Sequence, residues 1–206
     1  CPVPMFSIQD LGFSYAKDRP VIKALDLELD QRPTAIIGQN GAGKTTLVKL
    51  LKGLLKPDSG QIHVMGEKVH WGQANTNRHI GYLSDVPEFY SYMTPLEYLN
   101  LCGKVSGMDK ADIEARSKEL LEQVGLGQEG RHIKGFSRGM KQRLGIAQAL
   151  LNHPKILICD EPTSALDPAG RKEILDILLT VREQATVLFS THILSDVERI
   201  CTRVAF

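Results

Sequence analysis

Apolar and polar positions alternate along the first stretch of the chain, with Val21, Leu25, Leu27 and Leu29 each set off by polar neighbours. A period of two buries one face of a strand and leaves the other in water. Residues 6 to about 29 are therefore predicted to form half-exposed antiparallel strands. Thr34-Ala35-Ile36-Ile37 then runs straight into a glycine-rich stretch, the pattern of a buried strand ending in a loop. The period changes over residues 45–55, where Leu47, Val48, Leu50, Leu51 and Leu54 recur at helical spacing. Strand-like pieces return at 61–65 and 79–83.

From 94 to about 135 the texture is different. Two stretches, 95–105 and 110–124, carry mixed charges and Leu/Ile faces, punctuated by Gly107, Gly125 and Gly127. They are predicted to be helices of a small lobe inserted at about 85–135. A helix at 138–151, a strand at 156–159, a helix opening at Pro168, a strand at 186–190 and a short helix at 194–200 follow. Strands alternating with helices imply an α/β fold with a mainly parallel sheet covered on both faces. The antiparallel strands at the N-terminus and the helical lobe are added to that core. The chain is expected to break off at the start of a further strand, 203–206.

Composition narrows the picture a little. The 206 residues suffice for one well-buried core and a modest inserted lobe. With 25 Lys and Arg against 24 Asp and Glu, the formal net charge is +1, which gives no broad surface for nucleic acid or anionic lipid. No apolar run approaches the roughly 18 residues needed to cross a bilayer. Cys1-Pro2-Val3-Pro4 has neither the charged nor the apolar region of a secretory leader. The four cysteines are scattered, so a reduced, cytosolic chain is expected rather than a disulfide framework.

Candidate chemistry begins at Gly38-Gln39-Asn40-Gly41-Ala42-Gly43-Lys44-Thr45, which fits G-x-x-x-x-G-K-[ST] between a predicted strand and a predicted helix. Its glycines let consecutive backbone N–H groups face one centre, a cradle for phosphates. Lys44 can reach the β- and γ-phosphates and the Thr45 hydroxyl can ligate Mg²⁺. The following helix directs its positive end at the same place. By itself this pattern says only that the chain binds a nucleoside triphosphate.

A second element is the apolar run Lys155-Ile156-Leu157-Ile158-Cys159, which ends in Asp160-Glu161. Carboxyl ends of strands meet the ligand crevice of an open α/β sheet. Two adjacent acids there can divide the work: Asp160 to hold Mg²⁺ through water, Glu161 to polarise the attacking water. Cys159 reads as a small core residue. Just upstream lies Gly135-Phe136-Ser137-Arg138-Gly139-Met140-Lys141-Gln142-Arg143, where Ser137 has the look of a plain N-cap for the next helix.

Taken in order with Asp160-Glu161-Pro162-Thr163-Ser164-Ala165-Leu166-Asp167 and His192, these segments resemble the ABC ATPase family over almost the whole chain. The resemblance implies that Gly38 to Thr46 is the Walker A motif, with Asn40, Gly41, Gly43, Lys44, Thr45 and Thr46 around the nucleotide. It makes Ser137, Arg138 and Gly139 part of the signature motif. Asp160 becomes the end of Walker B, Glu161 the catalytic carboxylate and Ser164 to Asp167 the D-loop. His192 becomes a γ-phosphate contact, and Tyr15 the aromatic that stacks on adenine. Ser137 and the start of its helix would contact the γ-phosphate held by a second cassette, identical or different, so that ATP joins two cassettes. Tyr15 also reads as an ordinary strand aromatic, and Asp167 before Pro168 as an N-cap.

Two departures stand out. The usual Leu-Ser-Gly-Gly-Gln is Phe136-Ser137-Arg138-Gly139-Met140 here, and Arg138 is either a further phosphate contact or a solvated charge. Asp85 occupies the place of the Q-loop glutamine, which touches Mg²⁺ and water and couples the site to a membrane partner. An aspartate is a hard oxygen ligand and keeps that metal role open. The neighbourhood of Glu88, Tyr90, Met93 and Thr94 is similar to cassettes of two-component peptide and drug exporters.

The resemblance thus implies one ABC cassette spanning 1–206 that binds and hydrolyses ATP with Mg²⁺ and powers a separate transmembrane permease. Through the permease it would sit at the inner face of the cell membrane. No nucleic-acid partner is expected. The alternative is a soluble ABC ATPase acting on nucleic acid or ribosomes, against which stand the short lobe and the single cassette.

Overall fold

The computed structural model describes the chain except residues 1–4, 18, 30–33, 38–41, 74, 192, 194, 197, 199–202 and 206. Within its elements it describes the backbone alone for 19–21, 24, 29, 34–37, 42–45, 75 and 203–205. The chain divides into two compact units, one of residues 1–80 with 190–206 and one of residues 81–189.

In the first unit, strand β1 (Phe6–Ala16) pairs antiparallel with β2 (Arg19–Leu29) on one side and β4 (Ser59–Val64) on the other. The two-residue β5 (Glu67–Lys68) extends the sheet from β4. The buried face of β1 changes phase midway. Phe6 and Ile8 are buried before the register shift, and Leu11 and Phe13 after it. Asp10, at φ 47°, is the bulge residue that makes this possible. Gly60 faces that bulge, and a Cβ on it would stand 2.2 Å from the Asp10 carbonyl oxygen, so only glycine fits.

Strand β3 (Thr34–Ile37) pairs in parallel with β9 (Arg203–Ala205) and leads towards helix α1 (Ala42–Leu51). Leu47, Val48, Leu50 and Leu51 of α1 are buried, as its period requires. The apolar pattern predicted a helix continuing to 55, but it stops at Leu51. Gly53 takes φ 75°, and the Leu54 N–H closes back on the Lys49 carbonyl at 2.9 Å. A glycine in the left-handed region ends the helix whatever apolar residues follow, and Leu54 is left exposed.

In the second unit, β6 (Ile80–Leu83), β7 (Ile156–Asp160) and β8 (Thr186–Thr191) lie side by side in that order. Helix α5 (Pro168–Val181) joins β7 to β8, the crossover that parallel neighbours need. Every residue of β7 is buried. Helix α2 (Pro95–Val105) and helix α3 (Lys110–Gln123) coincide with the predicted pair, apart from the last residue of the second. Thr94 and Glu97 exchange hydrogen bonds with each other's backbone at the start of α2, a reciprocal cap that explains why the helix begins there. Leu99, Ile113 and Leu120 are fully or nearly fully buried within this lobe.

Helix α4 (Arg138–Leu150) packs its end against β6 at backbone distance. A Cβ on Gly81 would lie 2.2 Å from the Ala149 carbonyl oxygen. The α/β class, the antiparallel N-terminal sheet and the helical lobe all accord with the sequence reading. The helix predicted at 194–200 falls largely outside the described residues.

Candidate functional site

In the first unit the glycine-rich segment lies between β3 and α1, as the phosphate cradle demands. Gly43, Lys44 and Thr45 belong to the first turn of α1. Asn40, Gly41 and His192 fall outside the described residues, as do the side chains of Lys44 and Thr45. Thr46 is buried, and its hydroxyl lies 3.1 Å from the hydroxyl of Tyr15. Tyr15 stands at the end of β1, 58% exposed as a residue, with its ring edge-on to Phe13 at 4.8 Å between centroids. A hydrogen bond from its tip thus holds an exposed aromatic ring beside the helix that carries the cradle.

The second unit collects carboxylates at the C-terminal ends of two neighbouring strands. Asp160 is the last residue of β7, Glu161 the next, and each is only 8% exposed. Asp85 lies just past the end of β6. Tyr82, on β6, feels both strand ends: burial, then the charges of Asp160 and Asp85, push its phenol up to about 12. Burial also pushes the Cys159 thiol well above its ordinary range, in keeping with a core residue that takes no part in chemistry.

Glu161 adopts φ 46°, a left-handed conformation that a non-glycine residue takes at a cost of about 1–3 kcal/mol. Four residues on, Ala165 does the same at φ 58°. The turn between them is closed by the Ser164 N–H donating to the Glu161 carbonyl at 3.1 Å. Asp167 then caps α5, accepting from the Gly170 N–H at 2.8 Å, with Pro168 in the first turn. Glu161 is one of five described non-glycine residues in the left-handed region, and the one among them whose carboxylate is the candidate base.

Ser137 caps α4: its Oγ accepts from the Met140 N–H at 3.2 Å. An accepting hydroxyl keeps its own O–H to donate elsewhere. Gly139, in the same turn, has only Leu166 Cδ2 within reach of an added Cβ, at 3.9 Å. Nothing packed against it in the described structure therefore demands glycine there.

Arg138 is exposed, as a solvated charge would be, but its guanidinium is also engaged within the chain. Its Nε donates to the Ser164 carbonyl at 3.1 Å and a terminal nitrogen donates to the Asp85 carbonyl at 3.4 Å. The same Asp85 carbonyl accepts from Gln142 Nε2 at 2.8 Å. Gln142, fully buried, was not singled out from the sequence. Its signal was its spacing, four positions after Arg138 and so on the same helix face. The Asp85 carboxylate folds onto its own loop, where Oδ1 accepts from the Val86 N–H at 2.9 Å. Among the described residues no three His, Cys, Asp or Glu side chains converge as a ready-made metal cage.

Comparison with known proteins accords with this layout. The family model described as ABC transporter matches residues 22–164. The chain is 46% identical over 202 residues to the uncharacterized ABC transporter ATP-binding protein YxlF of Bacillus subtilis (strain 168), covering 97% of this chain and 66% of that protein. It is 44% identical over 171 residues to the bacitracin transport ATP-binding protein BcrA of Bacillus licheniformis, covering 82% of this chain and 55% of that one. The chain thus spans less than two thirds of the length of these relatives. Among solved structures, cbiO1 from Clostridium perfringens, described as part of the ABC transporter complex cbiONQ, superposes with a TM-score of 0.90 at 27% identity. That match covers 98% of this chain and 83% of the other.

Proposed function

Because the chain belongs to the ABC transporter family, we propose that it is an ATP-binding and ATP-hydrolysing cassette that powers transport through a separate membrane permease. The observation that carries the hydrolytic part is the buried acid pair at the tip of β7, with Glu161 held in a strained backbone conformation. Residues 1–206 are read as one cassette, with a helical lobe inserted at about 85–135.

The roles follow from the residues present. Lys44 and the backbone of the Gly38–Thr45 segment would bind the β- and γ-phosphates, with Asn40, Gly41, Gly43 and Thr46 completing the cradle. Tyr15 offers an exposed ring to the adenine face. Glu161 would accept a proton from the attacking water, and His192 would steady the γ-phosphate. Asp160 and Asp85 supply hard carboxylate oxygens, both within electrostatic reach of Tyr82, and Thr45 a hydroxyl. Carboxylate and hydroxyl oxygens are donor types that Mg²⁺ takes, since it is bound through one or two carboxylates plus substrate phosphates and not by an all-protein cage. When bound, Mg²⁺ would neutralise charge on the phosphates.

Dimerisation is part of the same reading. The free O–H of Ser137 and the N–H groups at the start of α4 would meet the γ-phosphate held by a second cassette, identical or different. The open space at Gly139 supports this, since a residue with no internal reason to be glycine is explained by the close approach of an outside ligand.

Among the described residues no helix is long and apolar enough to cross a membrane. A permease partner, and through it a place at the cytoplasmic face of the cell membrane, is inferred from the transport names of the relatives. Those names favour transport over the nucleic-acid or ribosome alternative. Val86, Tyr90 and Tyr92, which follow Asp85, are exposed apolar or aromatic side chains, and the neighbouring rings of Tyr90 and Tyr92 would suit a permease contact. The resemblance to exporters of peptides and drugs supplies the proposed cargo class.

The test is Glu161→Gln. Phosphate release should fall below detection while ATP drives the variant into a stable dimer on size exclusion. Ordinary turnover by this variant would remove Glu161 as the base and with it the proposed mechanism.

A further inference from the structure

Three hydrogen bonds tie both carboxylate-bearing segments of the second unit to the start of helix α4. The guanidinium of Arg138 donates to the carbonyls of Ser164 at 3.1 Å and Asp85 at 3.4 Å. These partners are 26 and 53 residues away in sequence. A guanidinium is a rigid planar fork, so binding two carbonyls at once fixes their separation, which a flexible ammonium does not. Gln142, one turn further along α4, gives the Asp85 carbonyl its second hydrogen bond at 2.8 Å. Both lone pairs of that oxygen are then engaged by the same helix.

The other arm of the fork ends on the turn that carries the strained acid. The Ser164 N–H closes back on Glu161, and the Ser164 carbonyl is held by Arg138. The peptide units on both sides of Ser164 are therefore committed, between two left-handed residues, Glu161 and Ala165. The Leu166 N–H also closes on the Thr163 carbonyl at 3.3 Å, and the bond from Arg138 adds a long-range tie to this turn, in keeping with a left-handed non-glycine persisting where its surroundings over-determine it.

We propose that Arg138, with Gln142, is a positioning residue that locks the Asp85 loop and the Glu161 turn to the first turns of α4. The anion contact at Ser137 then also sets the carboxylates of the same chain for hydrolysis. This rests on the nucleotide-sandwich reading given above. A glycine at 138, the usual residue of the family pattern, can make neither bond, so the device belongs to this variant signature.

Gln142 offers a clean control. Its Oε1 is buried without a hydrogen-bond partner among the described residues, so replacing the amide by the similarly shaped Met removes one donor and one orphaned acceptor together. The experiment compares the unaltered chain with Arg138→Ala, Arg138→Lys and Gln142→Met in steady-state ATP turnover with Mg²⁺ and in amide hydrogen exchange. Arg138→Ala should lower kcat about ten- to hundredfold, as displaced catalytic groups do. Its KM for ATP should change by less than about threefold. Exchange should accelerate together around 85–86 and 164–166. Gln142→Met should accelerate exchange only around 85–86, and Arg138→Lys, which can reach one carbonyl, should recover part of kcat.

Unchanged kcat in Arg138→Ala overturns the inference. So does exchange that accelerates along the whole of α4, which would make Arg138 a stability residue only. If the unaltered chain itself neither turns over ATP nor dimerises with it, the proposed function fails instead, whatever the variants do.

Discussion

The hydroxyl of Tyr15 lies 3.1 Å from the hydroxyl of Thr46, so the ring at the end of β1 is tethered to the buried face of α1, the helix that follows the proposed phosphate loop. Its tip is fixed while its face is open, the arrangement a stacking platform needs. The two contributions separate on substitution. Tyr15→Phe keeps the ring and loses a hydrogen bond worth about 1 kcal/mol, so ATP affinity should fall by about fivefold or less. Tyr15→Ala also loses base stacking of about 1–3 kcal/mol and should weaken binding by a further factor of about 5 to 150. Titration with a fluorescent ATP analogue decides it, and equal affinity in both variants would make Tyr15 a strand aromatic only.

Asp85 has two jobs that different replacements pull apart. Its Oδ1 holds the Val86 N–H, a bond that asparagine can reproduce without the charge. If the carboxylate also serves Mg²⁺, Asp85→Asn should raise the Mg²⁺ concentration needed for half-maximal turnover more than the ATP concentration. Asp85→Ala should do the same and lose the turn as well. An unchanged Mg²⁺ dependence in both variants takes Asp85 out of the site.

Gly139 should show stability and function moving in opposite directions. There is room for a methyl group, whose nearest neighbour would be Leu166 at 3.9 Å, and alanine favours the helix over glycine by about 1 kcal/mol or less. Gly139→Ala should therefore melt at the same or a higher temperature in the isolated chain. It should nevertheless impair ATP-driven dimerisation, because the methyl group enters the space assigned to the other cassette's nucleotide. Lower thermal stability with intact dimerisation would refute the assignment.

Ser137 combines a cap with a donor. Ser137→Asp preserves the acceptor for the Met140 N–H, so the helix start should stay within about 1 kcal/mol of its stability. A carboxylate facing a γ-phosphate repels it, so the ATP-dependent dimer should disappear on size exclusion. Persistence of that dimer would show that Ser137 is a helix cap and nothing more.

The exposed Tyr90 and Tyr92, their ring centroids 6.1 Å apart, bear on the partner. The double change Tyr90→Ser with Tyr92→Ser should reduce copurification of the permease. It should also lower permease-stimulated turnover more than the turnover of the chain alone. Undiminished copurification would move the docking surface elsewhere.

Local physics made much of this protein legible in the sequence. The α2 and α3 helices fall where their Leu/Ile faces and flanking glycines put them. Ser137 and Asp167 cap their helices as short polar residues before a helix do. The apolar run before Asp160 is a fully buried strand. Each of these depends on neighbours within a few residues, which is why spacing reveals them. The overlong prediction for α1 failed for a local reason too: the left-handed conformation of Gly53 outweighs the leucines beyond it.

What only the tertiary structure decided lies across long separations. Arg138 could be read as a phosphate ligand or a solvated charge, because a sequence does not say which carbonyls will stand within reach of a guanidinium. The partners came from 26 and 53 residues away, brought there by β6 and β7, whose ends lead into the segments of Asp85 and Ser164. The strained φ of Glu161 was equally hidden, since no residue preference announces a conformation that its surroundings impose. Sequence determined which groups this cassette carries and in what order. Packing of β6, β7 and α4 against one another determined how its carboxylates are held, because a hydrogen bond depends on distance in space and not along the chain.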